Sequence, residues 1–283
     1  LPSFNLAWDL TETLLLRAAA SKVISRIGYG ELGQIGNLDF HSQEMYDDRR
    51  INGSPLPGWY GNGGNKELAP YEATQYDLGL EWHYHPGAVL GATLFRKNVK
   101  NFIVPVTLDQ EQVIEGETVL VRNFSTQANG RDGISQGVEL YAQHTFPIGI
   151  GFQVNYTWND TNLSAIVLNG EEIGKSPLFG SAENQANLTL FYENDKFLAR
   201  ASYNRRGEIV GGLDSGMNVY LEPYDQIDLN LGYNLTQQLS LTGSVINLTR
   251  SEQRQYIGND TKLRMVRNTY TGRIFYMGLS YKF

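Results

Sequence analysis

The hydrophobic pattern of this chain repeats every two residues along most of its length. From Tyr76, the set Tyr76, Leu78, Leu80, Trp82 and Tyr84 alternates with Asp77, Gly79, Glu81 and His83. From Phe152, the set Phe152, Val154, Tyr156 and Trp158 alternates with Gln153, Asn155, Thr157 and Asn159. The same holds for Ile227, Leu229, Leu231 and Tyr233, and for Phe275, Met277, Leu279, Tyr281 and Phe283 at the end. Such alternation puts the two sets on opposite faces of a β-strand. It predicts about eleven strands, near 3–10, 14–24, 72–84, 88–102, 134–146, 150–160, 184–192, 196–207, 224–234, 238–248 and 269–283.

The connections between these strands alternate in length. Short ones fall at Thr11–Thr13, His85–Gly87, Pro147–Gly149, Glu193–Asp195 and Leu235–Gln237, and long ones near 25–71, 103–133, 161–183, 208–223 and 249–268. A soluble two-sheet sandwich has no reason for this rhythm. An up-and-down antiparallel transmembrane barrel does, because its periplasmic turns are short and its extracellular loops long. Aromatics near strand ends, at Trp8, Trp82, Tyr84, Trp158, Tyr192, Tyr233 and Tyr281, suit a membrane–water interface. The opposite face, rich in Asn, Gln, Ser, Thr, Gly and charge, suits a watery or plugged lumen.

An odd strand count does not close a bacterial barrel, which normally has an even number. First and last strands would both run toward the periplasm. About eleven strands is half of a 22-stranded plugged transporter barrel. The expectation is that 1–283 is the C-terminal portion of such a barrel, with an N-terminal plug domain and the first barrel half absent from the chain.

Composition narrows the field further. Lys and Arg total 23 against 30 Asp and Glu, a formal net charge of −7, which argues against a nucleic-acid binder. The absence of Cys excludes disulfides, thiolate metal sites and thiol nucleophiles. No segment approaches the ~20 apolar residues of a spanning helix, a fact that leaves barrel strands untouched. The opening Leu1-Pro2-Ser3 does not resemble a signal peptide, so either the mature chain starts there or an N-terminal part is missing.

Ordered motifs then resemble one family. The segment Gly64-Asn65-Lys66-Glu67-Leu68-Ala69-Pro70-Tyr71-Glu72 resembles the GNP-x-L-K-P-E/Y signature of TonB-dependent receptors, with Lys66 in place of Pro and Ala69 in place of Lys. The run Tyr76-Asp77-Leu78-Gly79-Leu80-Glu81-Trp82 resembles the family's Y-D-L-x-L-E-W/Y, and Leu94–Ile103 its L-F-Y-K-D-I-K-N-F-I. Gly137-Val138-Glu139-Leu140 resembles the strand start x-G-V/F-E-L/F. Leu16–Arg26 resembles L-R-A-A-x-S-K-x-I-x-R-P, with Ile27 where Pro is usual. The terminal Tyr281 and Phe283 resemble the aromatic signal read by the barrel assembly machinery. These matches run in order along nearly the whole chain and are closest to the branch associated with carbohydrate uptake.

The resemblance implies active uptake of a nutrient across the bacterial outer membrane, an oligosaccharide first, with no enzyme activity and no cofactor. It implies partners as well: the inner-membrane TonB complex acting through the plug, outer-membrane lipids, and room for a surface lipoprotein above the mouth. A siderophore or vitamin receptor is the alternative. It would favour basic or Met-rich loops, and the acidic balance disfavours it. A smaller barrel enzyme or secretion pore would need a rim set of Asp/His or Ser/His, or a lumenal helix, and neither is evident.

Candidate ligand contacts sit in the long connections. Asp47, Asp48 and Arg50 could hydrogen-bond ligand hydroxyls, and Tyr46, Trp59 and Tyr60 offer aromatic faces to sugar rings. Arg131 lies in the Gly-rich turn Asn129–Gly133, at the expected extracellular rim. Arg205-Arg206 and Arg254-Gln255-Tyr256 are further rim or lumen candidates. Gly133–Gly137 matches G-x-S-x-G, but a nucleophile elbow needs a helix after it, and here an alternating strand follows. His83 and His85 are two apart with no third ligand evident, which does not make a metal site.

Overall fold

The computed structural model describes every residue except 34–35, 43–56, 131, 163, 169, 177, 215–216 and 259–263. In chain order the elements are β1 (Ser3–Asp9), β2 (Leu14–Ser25), a one-turn helix α1 (Tyr29–Leu32), β3 (Asn37–His41), β4 (Gly58–Asn62), β5 (Tyr71–His85) and β6 (Ala88–Lys100). Next come β7 (Ile103–Ile114), β8 (Glu117–Gly130), β9 (Gly133–Thr145), β10 (Ile150–Thr161), β11 (Ser164–Leu168), β12 (Glu171–Ser176) and β13 (Asn184–Glu193). The last are β14 (Phe197–Arg206), β15 (Ile209–Asp214), β16 (Met217–Leu221), β17 (Tyr224–Asn234), β18 (Leu239–Ile246), β19 (Gln253–Gly258), β20 (Arg264–Thr269) and β21 (Ile274–Tyr281).

Eleven of these strands form one antiparallel sheet in the order β1-β2-β5-β6-β9-β10-β13-β14-β17-β18-β21. They match the predicted eleven within a few residues. Neighbours in the sheet are neighbours in sequence once the long connections are removed, the topology of an up-and-down barrel wall. Strands β2, β5, β6, β9 and β10 have 12 to 15 residues, more than the ~9–11 a tilted strand needs to cross a membrane.

Each short turn carries its own closing device. Thr11 Oγ1 accepts from the Leu14 N–H, and Thr236 Oγ1 from the Leu239 N–H, each at 3.0 Å. Asn194 Oδ1 accepts from the Lys196 and Phe197 N–H groups. Gly87 and Gly149 take φ of 77° and 86°, where a side chain would be strained.

Register places the apolar set on one face throughout. Leu80 pairs with Leu16 and Ala92, Ala92 with Leu140, and Leu140 with Tyr156. Farther along, Leu190 pairs with Ala201, Ala201 with Leu229, and Leu229 with Val245, which faces Phe275. Leu78, Trp82, Leu94, Leu140, Trp158, Leu231, Met277 and Leu279 all stand exposed on this face. An apolar surface of this extent needs a nonaqueous partner, and on a barrel wall that partner is lipid.

The structure departs from the expectation in the long connections, which are not structureless. Each folds as a β-hairpin. Those after β2, β6 and β10 merge into a six-stranded sheet, with β12-β11-β8-β4-β3 in order and β7 on β8. Those after β14 and β18 form a four-stranded sheet, β15-β16-β19-β20. The β4–β8 pair is parallel, and every other described pair is antiparallel. Alternation marks strands clearly only where one face meets lipid and the other water, and these outer hairpins meet neither so cleanly. The fully buried residues Val104, Val121, Phe124 and Ala128 belong to the six-stranded sheet. Phe102, Val104, Ala128 and Ile166 form its core cluster.

Candidate functional site

The long-loop end of the sheet is organised around two asparagines. Asn129, near the end of β8, clamps the Gly64–Glu72 segment. Its Oδ1 accepts from the Ala69 N–H at 2.8 Å, and its Nδ2 donates to the Ala69 and Asn101 carbonyls at 3.0 Å. Asn65 adds a bond to the Gln127 carbonyl, and Asn101 one to the Pro70 carbonyl. Gly64 lies against the backbone of Glu31 and Gly33 so closely that a Cβ would collide with it. The signature motif is therefore a joint that fixes the first long loop to the second.

Asn247 does the same for the last loop. It is 2% exposed, at φ 57°. Its Nδ2 donates to the Ser251 and Gly272 carbonyls at 3.1 Å, and its Oδ1 accepts from the Ser251 N–H at 2.8 Å. One side chain thus ties together the start and the end of the segment that carries β19 and β20.

That segment is basic. Residues 250–273 hold Arg250, Arg254, Lys262, Arg264, Arg267 and Arg273 against Glu252 and Asp260. On one face of the four-stranded sheet Tyr220 pairs with Tyr256, which pairs with Met265. Arg254 donates to Glu252 Oε2 at 3.0 Å, and Asn268 Nδ2 to the same oxygen. These donors hold the Glu252 carboxyl below the ordinary carboxylate range, the Asn268 bond contributing most, and Arg254 is raised in turn. A lowered carboxylate pKa stabilises above its ordinary range and loses that contribution as the pH falls through the folded value. Amide exchange in β19 and β20, corrected for intrinsic rates, should therefore accelerate below about pH 4, and Glu252→Gln should abolish that dependence.

The residues proposed from sequence separate. Tyr46, Asp47, Asp48, Arg50 and Arg131 lie outside the described residues. Trp59 is half-buried and packs edge-on against the exposed Phe40 at 5.3 Å. Tyr60 is 8% exposed, with its ring stacked on His41 at 4.5 Å, so its face is covered by the chain itself. Of this group, Phe40 and Trp59 keep open aromatic surface.

Other candidates resolve into structure. Ser135 opens β9 and donates to Asn159 Oδ1 at 2.8 Å, with a strand and not a helix after it. His83 sits beside Glu81, which also holds Arg17, while His85 stacks near His144, itself bonded to Tyr84. Among the described residues no group of three His, Cys, Asp or Glu could hold a metal ion. Arg206 donates to the Glu222 carbonyl at 2.9 Å.

Three aromatics depart from the polar lumen pattern. Tyr141 lies over Gly91, Phe95 over Gly137 and Phe191 over Gly151, each where a Cβ would strike the ring. Cross-strand aromatic–glycine pairs of this kind shield a backbone that lacks a side chain. Of these glycines the sequence motifs include Gly137, and without register the rings that cover all three are invisible. The arginines of β20 were likewise not singled out, although their clustering in 250–273 is visible in the sequence.

Comparisons with known proteins agree with this geometry. A crystal structure of the ferric enterobactin receptor PfeA from Pseudomonas aeruginosa, a mutant form, is similar over 100% of this chain at 21% identity and a TM-score of 0.66, with 40% of its own length covered. The siderophore receptor PirA from Acinetobacter baumannii is similar over 100% at 18% identity and 0.65, with 41% covered. The ferric-catecholate import receptor Fiu from E. coli K12 is similar over 99% at 18% identity and 0.60, with 34% covered. The chain thus spans well under half the length of these receptors. A search of curated proteins gives no match. The family model described as TonB dependent receptor-like, beta-barrel, matches residues 1–248. With its barrel wall, its alternating turns and loops and this match, the chain belongs to the TonB-dependent receptor β-barrel family of the bacterial outer membrane.

Proposed function

We propose that this chain forms part of the wall and ligand mouth of a receptor that takes up an anionic ferric siderophore, energised by the TonB complex through a plug. The carrying observation is the basic last hairpin: six cationic residues against two acidic ones, in a chain whose overall charge is −7. An anionic iron chelate has to be held by cations and hydrogen-bond donors. Guanidinium groups supply both in a fixed fork. The loop chemistry expected of the siderophore alternative is thus present locally, although the whole-chain charge had argued against it.

The carbohydrate branch suggested by the motifs gains no support from the similar structures named above, which are siderophore receptors by name. Phe40 and Trp59 are what the oligosaccharide reading retains. The edge strands β1 and β21 each have one unpaired side in the sheet. We take them as the seams at which further barrel strands join. Tyr281 and Phe283, both exposed and 5.3 Å apart edge to face, would serve the assembly machinery.

The test uses the full-length receptor in an outer membrane stripped of other iron receptors. Radiolabelled ferric siderophores of catecholate, hydroxamate and carboxylate type are supplied under iron limitation. Uptake of at least one is expected. The triple change Arg254→Ala, Arg264→Ala and Arg267→Ala should weaken its binding by about 100-fold, at roughly 1 kcal/mol per charge-assisted contact. Uptake of oligosaccharides with no iron uptake would overturn the reading.

A further inference from the structure

The polar face of β17 reaches the last long loop through one carboxylate. Tyr224, Gln226 and Asp228 alternate along the strand with Asp225, Ile227 and Leu229, so all three stand on the side away from the apolar set. Across the ladder on β14 they meet Arg206, Asn204 and Ser202. Their side chains form a column. The Tyr224 hydroxyl donates to Gln226 Oε1 at 2.6 Å, and Gln226 Nε2 donates to Asp228 Oδ1 at 2.7 Å. The same Oδ1 accepts from the Asn247 backbone N–H at 2.9 Å. Among the described residues Asp228 makes no ion pair, so its charge is committed to these two donors.

The bond to Asn247 stands where the ladder gives out. β17 and β18 pair regularly from Asn234 and Ser240 to Leu229 and Val245, and the Leu248 N–H still donates to the Ile227 carbonyl. Between them Asn247 turns to φ 57°, away from strand geometry. Its N–H then meets a side chain instead of the neighbouring backbone. At a residue only 2% exposed, that N–H needs an acceptor, and an ionised one makes the stronger bond. A second tie enters the same loop farther on. Arg206 donates to the Glu222 carbonyl at 2.9 Å, and the Glu222 N–H donates to the Arg254 carbonyl of β19 at 3.0 Å. The polar faces of β14 and β17 thus hold the segment 247–272 at its start and again in β19.

We infer that Asp228 is the positioning residue of the β19–β20 hairpin: a carboxylate of the barrel wall, braced by Gln226 and Tyr224, that sets the hairpin in place through Asn247. It acts without touching ligand. It fixes the start of the segment whose arginines would make that contact. Only this link to ligand rests on the siderophore reading; the order of the hairpin does not. The consequence is that one group serves both the barrel wall and the mouth. A substitution on the wall therefore alters capture while every loop residue stays as it is.

The test is amide hydrogen exchange of the full-length receptor in detergent, without ligand. Asp228→Ala should accelerate exchange in β19 and β20 by about 30-fold, about 2 kcal/mol at 1.4 kcal/mol per decade, and leave the β13–β14 and β14–β17 ladders unchanged. Asp228→Asn keeps an acceptor in the same place and should restore protection to within about threefold of wild type. Ser202→Ala, opposite Asp228 on β14 and not bonded to it, should match wild type. Uptake of radiolabelled ferric catecholate, hydroxamate and carboxylate chelates gives the second readout. For whichever chelate enters, Asp228→Ala should raise the half-saturating concentration about tenfold, with the maximum rate per folded receptor within about twofold. A lowered maximum rate at unchanged half-saturation would make Asp228 a group of the passage and overturn the proposal. So would wild-type exchange in β19 and β20 of the alanine variant, or protection lost across the whole barrel sheet. The exchange arm needs no ligand, so its failure is distinct from that of the siderophore reading, which the absence of all iron uptake by wild type would overturn.

Discussion

Gly137→Val should prevent this barrel from assembling. Gly137 lies in β9 between β6 and β10, opposite Phe95 and Asn159. A Cβ there would collide with the Trp158 carbonyl oxygen and stand 2.8 Å from the Phe95 ring. Ring atoms can swing away, but the carbonyl belongs to the ladder and moves only with its strand. Overpacking of this kind costs about 1–3 kcal/mol even where the surroundings give, and a displaced β10 also loosens β13. The folded, heat-modifiable fraction in the outer membrane should fall by roughly ten- to a hundredfold. Gly243→Ala is the control: it lies in β18 of the same sheet, with its nearest neighbour, the Tyr276 carbonyl, at 4.0 Å. Normal assembly of the valine variant would show that β9 and β10 part without consequence.

The second large effect is expected at Asn247. Asn247→Leu removes the donors to Ser251, Thr271 and Gly272 and the acceptor for the Ser251 N–H, all in a nearly solvent-free position. It also forces a bulky residue to φ 57°. At about 1 kcal/mol for each of these hydrogen bonds and about 1–2 for the left-handed backbone, the local loss is on the order of 5–6 kcal/mol. The barrel wall should survive, because the β17–β18 and β18–β21 ladders do not pass through this side chain. The β19–β20 hairpin should not. Trypsin cleavage after Arg250 and Arg254 should accelerate by at least about 100-fold, and binding of the proposed siderophore ligand should fall with it. Asn247→Gly relieves the backbone and leaves the hydrogen bonds unmade, so it should lie between the two. Protease resistance equal to wild type in the leucine variant would remove Asn247 as the hinge point of the loop.

These two positions show what a linear reading can and cannot hold. Gly137 was legible as part of a strand-start motif, but the reason for glycine depends on Phe95, 42 residues earlier, and on a carbonyl 21 residues later. In sequence, Asn247 is only a polar position near the end of the strand expected at 238–248. Its importance comes from Thr271 and Gly272, which the folding of two strands brings back to it. Tyr60 shows the converse case. Aromatics in a long loop read as a ligand platform, yet the β3–β4 pairing stacks this ring on His41 and buries it.

Charge followed the same rule. A net charge of −7 averages acidic segments, such as Asp109, Glu111, Glu115 and Glu117 around the β7–β8 hairpin, with a basic one at 250–273. Ligands meet local surfaces, so the average says little about the loop chemistry a ligand would meet. The ten strands in the long connections escaped notice for a related reason. Their hairpin ladders are local, but the pairings that join one hairpin to another, including the parallel β4–β8 contact, link segments far apart in sequence, and their faces lack a lipid side to enforce alternation.

The chain's own pattern determined the barrel wall. Lipid on one face and a polar lumen on the other impose a period of two, and turn chemistry alternating with long connections sets the up-and-down order. Both are local consequences of solvent and backbone, so they are written residue by residue. Tertiary structure alone decided that the loops form two sheets and that Asn129 and Asn247 lock them. Each of those depends on register between strands, and register is a relation between distant segments that no single segment contains.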